Sequence, residues 1–209
     1  MLGILGGSFD PIHYGHLHIA QSLHHMLYLQ AVHFIPCKAP LLGKKIVANT
    51  AQRLAMLKLA LIDYPYCFID ERELQRRTPS YTLDTLIALR HEFANLPLAL
   101  ILGSDNLTNL NRWYEWRALI QYAHLVIIPR RPDASEVYHP SVQAFIQKFR
   151  VQDVRCLQQQ AAGFLLITHV KPLAISASRI RTEIAQGLRP VNLLPASVLD
   201  YITEEKLYL

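Results

Sequence analysis

Gly6-Gly7-Ser8-Phe9-Asp10-Pro11-Ile12-His13-Tyr14-Gly15-His16-Leu17 lies between two apolar segments. The run before it, Leu2 to Leu5, reads as a buried strand, and the apolar-periodic segment after it, Leu17 to Leu29, reads as a helix. A glycine pair at the end of a strand lets backbone amides approach an anion closely. A helix starting near Gly15 adds free N–H groups and the positive end of its dipole. His13 and His16 stand at the mouth of that helix. The stretch reads as a phosphate site.

Outward from it, strand-like and helix-like segments alternate. Ala31 to Pro36 is β-branched and aromatic and is closed by proline, and a basic loop follows from Lys38 to Asn49. Thr50 is the expected N-cap of a helix over Ala51 to Ile62, with Arg53 and Lys58 on its solvent side. Cys67 to Ile69 is a short strand, and Thr78-Pro79-Ser80-Tyr81-Thr82 precedes a helix bearing Leu83, Leu86 and Ile87. Leu98 to Leu102 is an unbroken apolar strand ending in Gly103-Ser104-Asp105. A helical stretch is expected from about Arg112 to Tyr122, then strand Leu125 to Ile128, helix Val142 to Phe149 and strand Phe164 to Ile167. From Ser178 onward the chain reads as helical, with Pro195 at a helix start.

Strands with no in/out alternation are buried on both faces, as in parallel sheets covered by helices. The expected fold is therefore α/β: a Rossmann-like doubly wound parallel sheet with a short C-terminal helical region. Residues 1–209 read as one domain, of which about 176–209 form the helical subregion. In such sheets ligands bind at the carboxyl ends of the strands. The loops there, 6–16, 36–49, 103–105 and 129–131, are also those with unusual chemistry.

Composition narrows the partners. The chain is 51% hydrophobic and 18% charged, with 21 Lys and Arg against 16 Asp and Glu, or +5 with neutral histidines. That suits an anionic small molecule. Basic residues form only doublets, such as Lys44-Lys45 and Arg130-Arg131, which argues against nucleic acid. Cys37, Cys67 and Cys156 are scattered, without a C-x-x-C pair, which points to a reducing compartment. No apolar run reaches membrane-span length and no secretory signal is visible, so a cytoplasmic protein without membrane attachment is expected.

Rival phosphate and metal motifs do not fit. Gly15 is not followed by the Lys-Ser or Lys-Thr of a P-loop, and the glycines do not space as G-x-G-x-x-G. His13, His16 and His18 cluster, but without H-E-x-x-H or a fourth ligand for structural zinc. Two imidazole donors beside an α-phosphate would stabilise charge on its non-bridging oxygens as pyrophosphate leaves. A phosphate nucleophile is already ionised and needs no general base.

The opening stretch resembles the nucleotidylyltransferase signature G-x-F/T-D-x-x-H-x-G-H, and more narrowly that of bacterial nicotinate-nucleotide adenylyltransferases. The second signature, I-S-x-[ST]-x-I-R, stands as Ile175-Ser176-Ala177-Ser178-Arg179-Ile180-Arg181. The resemblance spans essentially the whole chain. It implies transfer of AMP from ATP to nicotinate mononucleotide, giving nicotinate adenine dinucleotide and pyrophosphate, with Mg²⁺ held mainly by the ATP phosphates and no protein metal ligand. His13 and His16 would be catalytic. Gly6, Gly7, Ser8, Phe9, His16, Gly103, Asp105, Ser178 and Arg181 would bind ATP. Ser80, Tyr81, Thr82 and Trp113 would bind the nicotinate nucleotide, the first three through backbone amides and the indole by stacking, while Trp116 would be core. Arg189 is expected on a solvated face.

One departure stands out. The family usually carries Pro-Pro-His-Lys after the second strand, where this chain has Ala39-Pro40-Leu41-Leu42-Gly43-Lys44-Lys45. Lys44 is the expected catalytic substitute, with Lys38 and Lys45 the alternatives. Other readings remain: a nicotinamide-mononucleotide or phosphopantetheine acceptor, a non-catalytic nucleotide-binding protein, or an RNA-binding module. Self-association as a homo-oligomer is allowed.

Overall fold

The computed structural model describes residues 1–39, 45–77, 79–129 and 137–209. Its strands are β1 (Leu2–Gly7), β2 (Ala31–Pro36), β3 (Cys67–Ile69), β4 (Leu98–Gly103), β5 (His124–Ile128), β6 (Arg150–Val151) and β7 (Leu165–Ile167). They form one sheet in the order β3-β2-β1-β4-β5-β7-β6, with every ladder parallel. The helices are α1 (Tyr14–Leu27), α2 (Thr50–Leu61), α3 (Arg72–Gln75), α4 (Thr82–Glu92), α5 (Ser104–Thr108), α6 (Leu119–Tyr122), α7 (Pro140–Phe149), α8 (Ala177–Ala185) and α9 (Ala196–Glu204). This is a Rossmann-like α/β fold. Among the described residues no helix is long and apolar enough to cross a membrane.

The central strands are buried on both faces because each sends successive residues into different layers. Leu5, Ala99, Ile101, Val126 and Ile128 point into a core shared with Leu17, Leu23 and Leu27 of α1, Met56 and Leu57 of α2, Ile180 of α8 and Ile202 of α9. Leu2, Ile4, Leu98, Leu100, Leu102, Leu125 and Ile127 point the other way, onto Leu86 of α4, Leu119 of α6 and Phe145 of α7. Gly3 is required by close packing, since a Cβ there would fall 2.8 Å from Leu29 Cδ1.

After β1 the chain winds outward through β2 to β3, then returns to place β4 on the other side of β1. The crevice at their carboxyl ends is where a doubly wound sheet binds ligands. Gly7 and Gly103 lie two residues beyond the last paired row of these strands, Leu5 with Ile101, so the two ligand loops leave the sheet at one level.

Local details correct several sequence expectations. Asn49, not Thr50, caps α2: its side chain accepts from Gln52 N at 3.0 Å, and Gln52 Oε1 accepts from Asn49 N at 3.0 Å. Arg53 is not on the solvent side but is 1% exposed. No continuous helix spans 112–122, because Trp113 is extended and Glu115 is left-handed (φ 45°), which splits the segment into 3₁₀ turns and α6.

Candidate active site

The turn after β1 is built around Phe9. Its backbone is left-handed (φ 46°), which reverses the chain and buries the ring to 1% exposure. The ring lies under Gly7, where a Cβ would come within 2.9 Å of Phe9 Cζ, and packs on Phe34. It also meets the His16 ring edge-on at 5.1 Å. Phe9 thus supports His16 from below, and its buried ring leaves only the backbone to face a ligand. Gly6, by contrast, opens on space, with no atom within 4 Å of a Cβ placed there. That leaves its backbone approachable.

His13 and His16 come together as expected. His13 is the residue before α1, and the two rings stack with centroids 3.8 Å apart. The His13 backbone N–H donates to His16 Nδ1 at 3.3 Å. An Nδ1 that accepts cannot carry the proton, so a neutral His16 holds it on Nε2 and remains a donor. Gly15 makes room for this pair, because a Cβ there would lie 2.9 Å from His13 Nδ1.

The second signature folds back onto this turn. Ser176 caps α8, its Oγ accepting from Arg179 N at 3.3 Å. Ile175 Cβ is 3.6 Å from the Gly15 Cβ position. Arg181 Nη1 donates to the Asp10 carbonyl at 2.6 Å, and its Nη2 lies 3.5 Å from Ser178 Oγ. Across 171 residues of sequence, Arg181 therefore reaches the turn that carries His13, with Ser178 beside its guanidinium. Arg179 instead pairs along the helix with Glu183, and Arg189 makes an exposed ion pair with Asp200, as a solvated face would.

On the β4 side, Gly103 precedes α5, and the exposed Asp105 lies in its first turn. Tyr81 precedes α4, whose first residue is Thr82, and its ring lies 4.6 Å from that of Tyr114. This contact ties the 80–82 segment to Tyr114, the residue after Trp113. The Trp113 indole is half-buried, and its buried Nε1 finds no partner among the described residues. Trp116 is core, packed on Phe145.

A buried polar brace fixes the 80–82 segment. Glu73 of α3 receives the Ser80 hydroxyl on its carbonyl at 3.2 Å and the Thr85 hydroxyl on Oε1 at 2.8 Å, while Arg76 donates to Thr85 Oγ1 at 2.8 Å. Burial raises the Glu73 carboxyl above its ordinary value, against the opposing pull of Thr85 and Arg76. Beside it, burial pushes Asp70 up, but hydrogen bonds from His33 and Arg72 outweigh it and hold that carboxyl below the usual range. Lys38 donates to the Arg76 carbonyl at 2.8 Å, so it ties the loop to α3. Lys44 lies outside the described residues; Lys45 is exposed.

Arg53 is a residue the sequence reading assigned to solvent and the structure assigns to the site. Its Nη1 donates to the Ser8 carbonyl at 2.7 Å. The signal was in the helix phase: Arg53, Met56, Leu57, Ala60 and Leu61 share one face of α2 and are all buried.

The model of the cytidylyltransferase-like family matches residues 4–183. The chain is 42% identical to a probable nicotinate-nucleotide adenylyltransferase of Aeromonas salmonicida, covering 99% of this chain and 96% of that one. This chain belongs to the nicotinate-nucleotide adenylyltransferase family. A second family member, from Legionella pneumophila strain Lens, is 37% identical over 99% of this chain and 98% of its own. The fold matches the Plasmodium falciparum nicotinic acid mononucleotide adenylyltransferase complexed with NaAD, with a TM-score of 0.73 at 19% identity over 99% of this chain and 96% of that one. Within this family of adenylyltransferases, the chain keeps both signatures and brings them into contact.

Proposed function

We propose that this chain transfers AMP from ATP to nicotinate mononucleotide. The observation that carries the reading is the closure of the second signature on the first, Arg181 on Asp10 and Ile175 on Gly15, in the crevice between β1 and β4. Full-length similarity to relatives named for this activity supports the choice of acceptor.

In this reading a phosphate oxygen of the mononucleotide attacks the α-phosphorus of ATP. The new P–O bond forms as the bond to the β-phosphate oxygen breaks, and pyrophosphate leaves with the electron pair. The Gly6–Gly7 backbone and the α1 N-terminus cradle the α-phosphate, with Ser8 and Phe9 contributing through their backbone. His13 and His16 donate to the oxygens on which charge grows. Ser178 and Arg181 hold the departing pyrophosphate, Gly103 and Asp105 meet the adenosine, and Lys44 supplies the loop's cation. Ser80, Tyr81 and Thr82 offer amides to the nicotinate carboxylate at the start of α4, and Trp113 stacks on the pyridine.

Mg²⁺ enters as MgATP. In this reading the ion is held mainly by the ATP phosphate oxygens and water. The scattered Cys37, Cys67 and Cys156, with no C-x-x-C pair, suit a reducing cytoplasm.

The test is pyrophosphate release with MgATP and each acceptor in turn. The reading expects nicotinate mononucleotide to outpace both nicotinamide mononucleotide and phosphopantetheine. Faster turnover with either competitor overturns the acceptor; no release with any of them overturns the enzyme.

A further inference from the structure

Asp10 is 1% exposed and accepts more hydrogen bonds than its turn requires. Oδ2 accepts from Val47 N at 2.8 Å and Oδ1 from Ala48 N at 3.1 Å, which fastens residues 47–48 to the turn that carries His13. A third donor comes from far along the chain: the Tyr208 hydroxyl donates to Asp10 Oδ1 at 2.7 Å in a buried contact.

The end of α9 is shaped to deliver that hydroxyl. Leu207 N donates to Ile202 O at 2.9 Å and Lys206 N to Thr203 O at 3.3 Å, a Schellman motif with Lys206 left-handed. Tyr208 is itself left-handed (φ 67°), a conformation that a tyrosine holds only against compensating contacts. Its ring is buried in the same core as Met56 and Leu199.

Arg181 is the third party. Its Nη1 stands 3.8 Å from Asp10 Oδ2, a long ion pair at the edge of contact. Arg53, the buried cation here, donates through Nη1 to the Ser8 carbonyl. Without the Tyr208 hydroxyl, Oδ1 loses a donor, and the long Arg181 pair with the same carboxylate is free to tighten. We propose that Tyr208 is a positioning residue for nucleotide binding: its hydroxyl holds the Asp10 carboxylate against residues 47–48 and leaves Arg181 available to the ATP polyphosphate. The proposal rests on the placement of that polyphosphate at α8.

The test is Tyr208→Phe, which keeps the ring and removes the donor. MgATP is titrated calorimetrically into wild type and Y208F without acceptor, and KM is measured for each substrate. We expect the MgATP Kd and KM to rise about fivefold or more, as loss of a charge-assisted hydrogen bond allows. KM for nicotinate mononucleotide should stay within about twofold, inside the ordinary scatter for uncoupled sites. In an Asp10→Asn background, where no carboxylate competes for Arg181, Y208F should have no further effect on MgATP. Unchanged MgATP binding in Y208F overturns the proposal, as does equal weakening of both substrates with a lowered melting temperature, which marks a purely structural role. If wild type binds MgATP yet releases no pyrophosphate with nicotinate mononucleotide, the acceptor reading fails while the calorimetric comparison still decides the role of Tyr208.

Discussion

His16 shows how much of the chemistry a single backbone contact sets. The His13 N–H on Nδ1 leaves Nε2 protonated, so the imidazole donates without first gaining a charge. A donor realised in the transition state accelerates the step more than it tightens binding. His16→Ala should therefore lower kcat by about 10²–10³-fold with little change in KM, as loss of one oxyanion donor does elsewhere. Steady-state kinetics check it, and near-normal turnover would sink the proposed role. The structure also shows why Phe9 belongs to this residue: an edge-on ring at 5.1 Å limits where the imidazole can turn.

At the scale of elements, α2 reaches the site through Arg53. Replacing this buried guanidinium by methionine leaves the Ser8 carbonyl without its donor and removes a cation from beside Tyr208. Loss of about 1.5–3 kcal/mol is expected, the range for a hydrogen bond to a charged group, measurable by urea denaturation of R53M against wild type. The β5–β7 side carries a titration instead. His124 is fully buried, its Nδ1 accepting from Phe164 N at 3.1 Å and its Nε2 donating to Gln160 O at 3.0 Å. Burial, with nearby Arg90, lowers its pKa against the raising effect of its hydrogen bonds. The unfolded imidazole protonates first, so its contribution to stability is full above about pH 6.5 and is lost as pH falls below it. Denaturation midpoints at pH 7.5 and 5.5 should differ by more in wild type than in His124→Asn.

Several of these elements were legible in the sequence. Unalternating runs such as Leu98 to Leu102 identify strands buried on both faces, and the strand over residues 31–36 is bounded by its own composition. Both histidines stand in the opening motif, and the joint role of the two signatures is legible only through the family resemblance. Other features were not. β6 and α3 are too short to show any period. The role of Asp10 is hidden in the sequence because nothing local reveals that Val47, Ala48 and Tyr208 all donate to it. Such contacts are set by tertiary placement, not by neighbours in sequence.

For the whole molecule, one sheet separates two apolar layers, and every central strand contributes to both. Neither layer can loosen without exposing the far face of the same strands. Leu119→Ala, in the layer that also holds both tryptophans, should cost about 2–5 kcal/mol. Tryptophan fluorescence and far-ultraviolet circular dichroism should still report one coincident transition. Separate midpoints would show that the layers melt independently.

The bond from Tyr208 to Asp10 spans 198 positions of the chain. Contacts so distant in sequence close late, after the nearer pairings that build the sheet. During synthesis the His13 turn emerges almost at once, yet its carboxylate waits for the hydroxyl until nearly all the rest has been made. On the proposed role of Tyr208, full nucleotide affinity is then acquired only when this long-range contact closes.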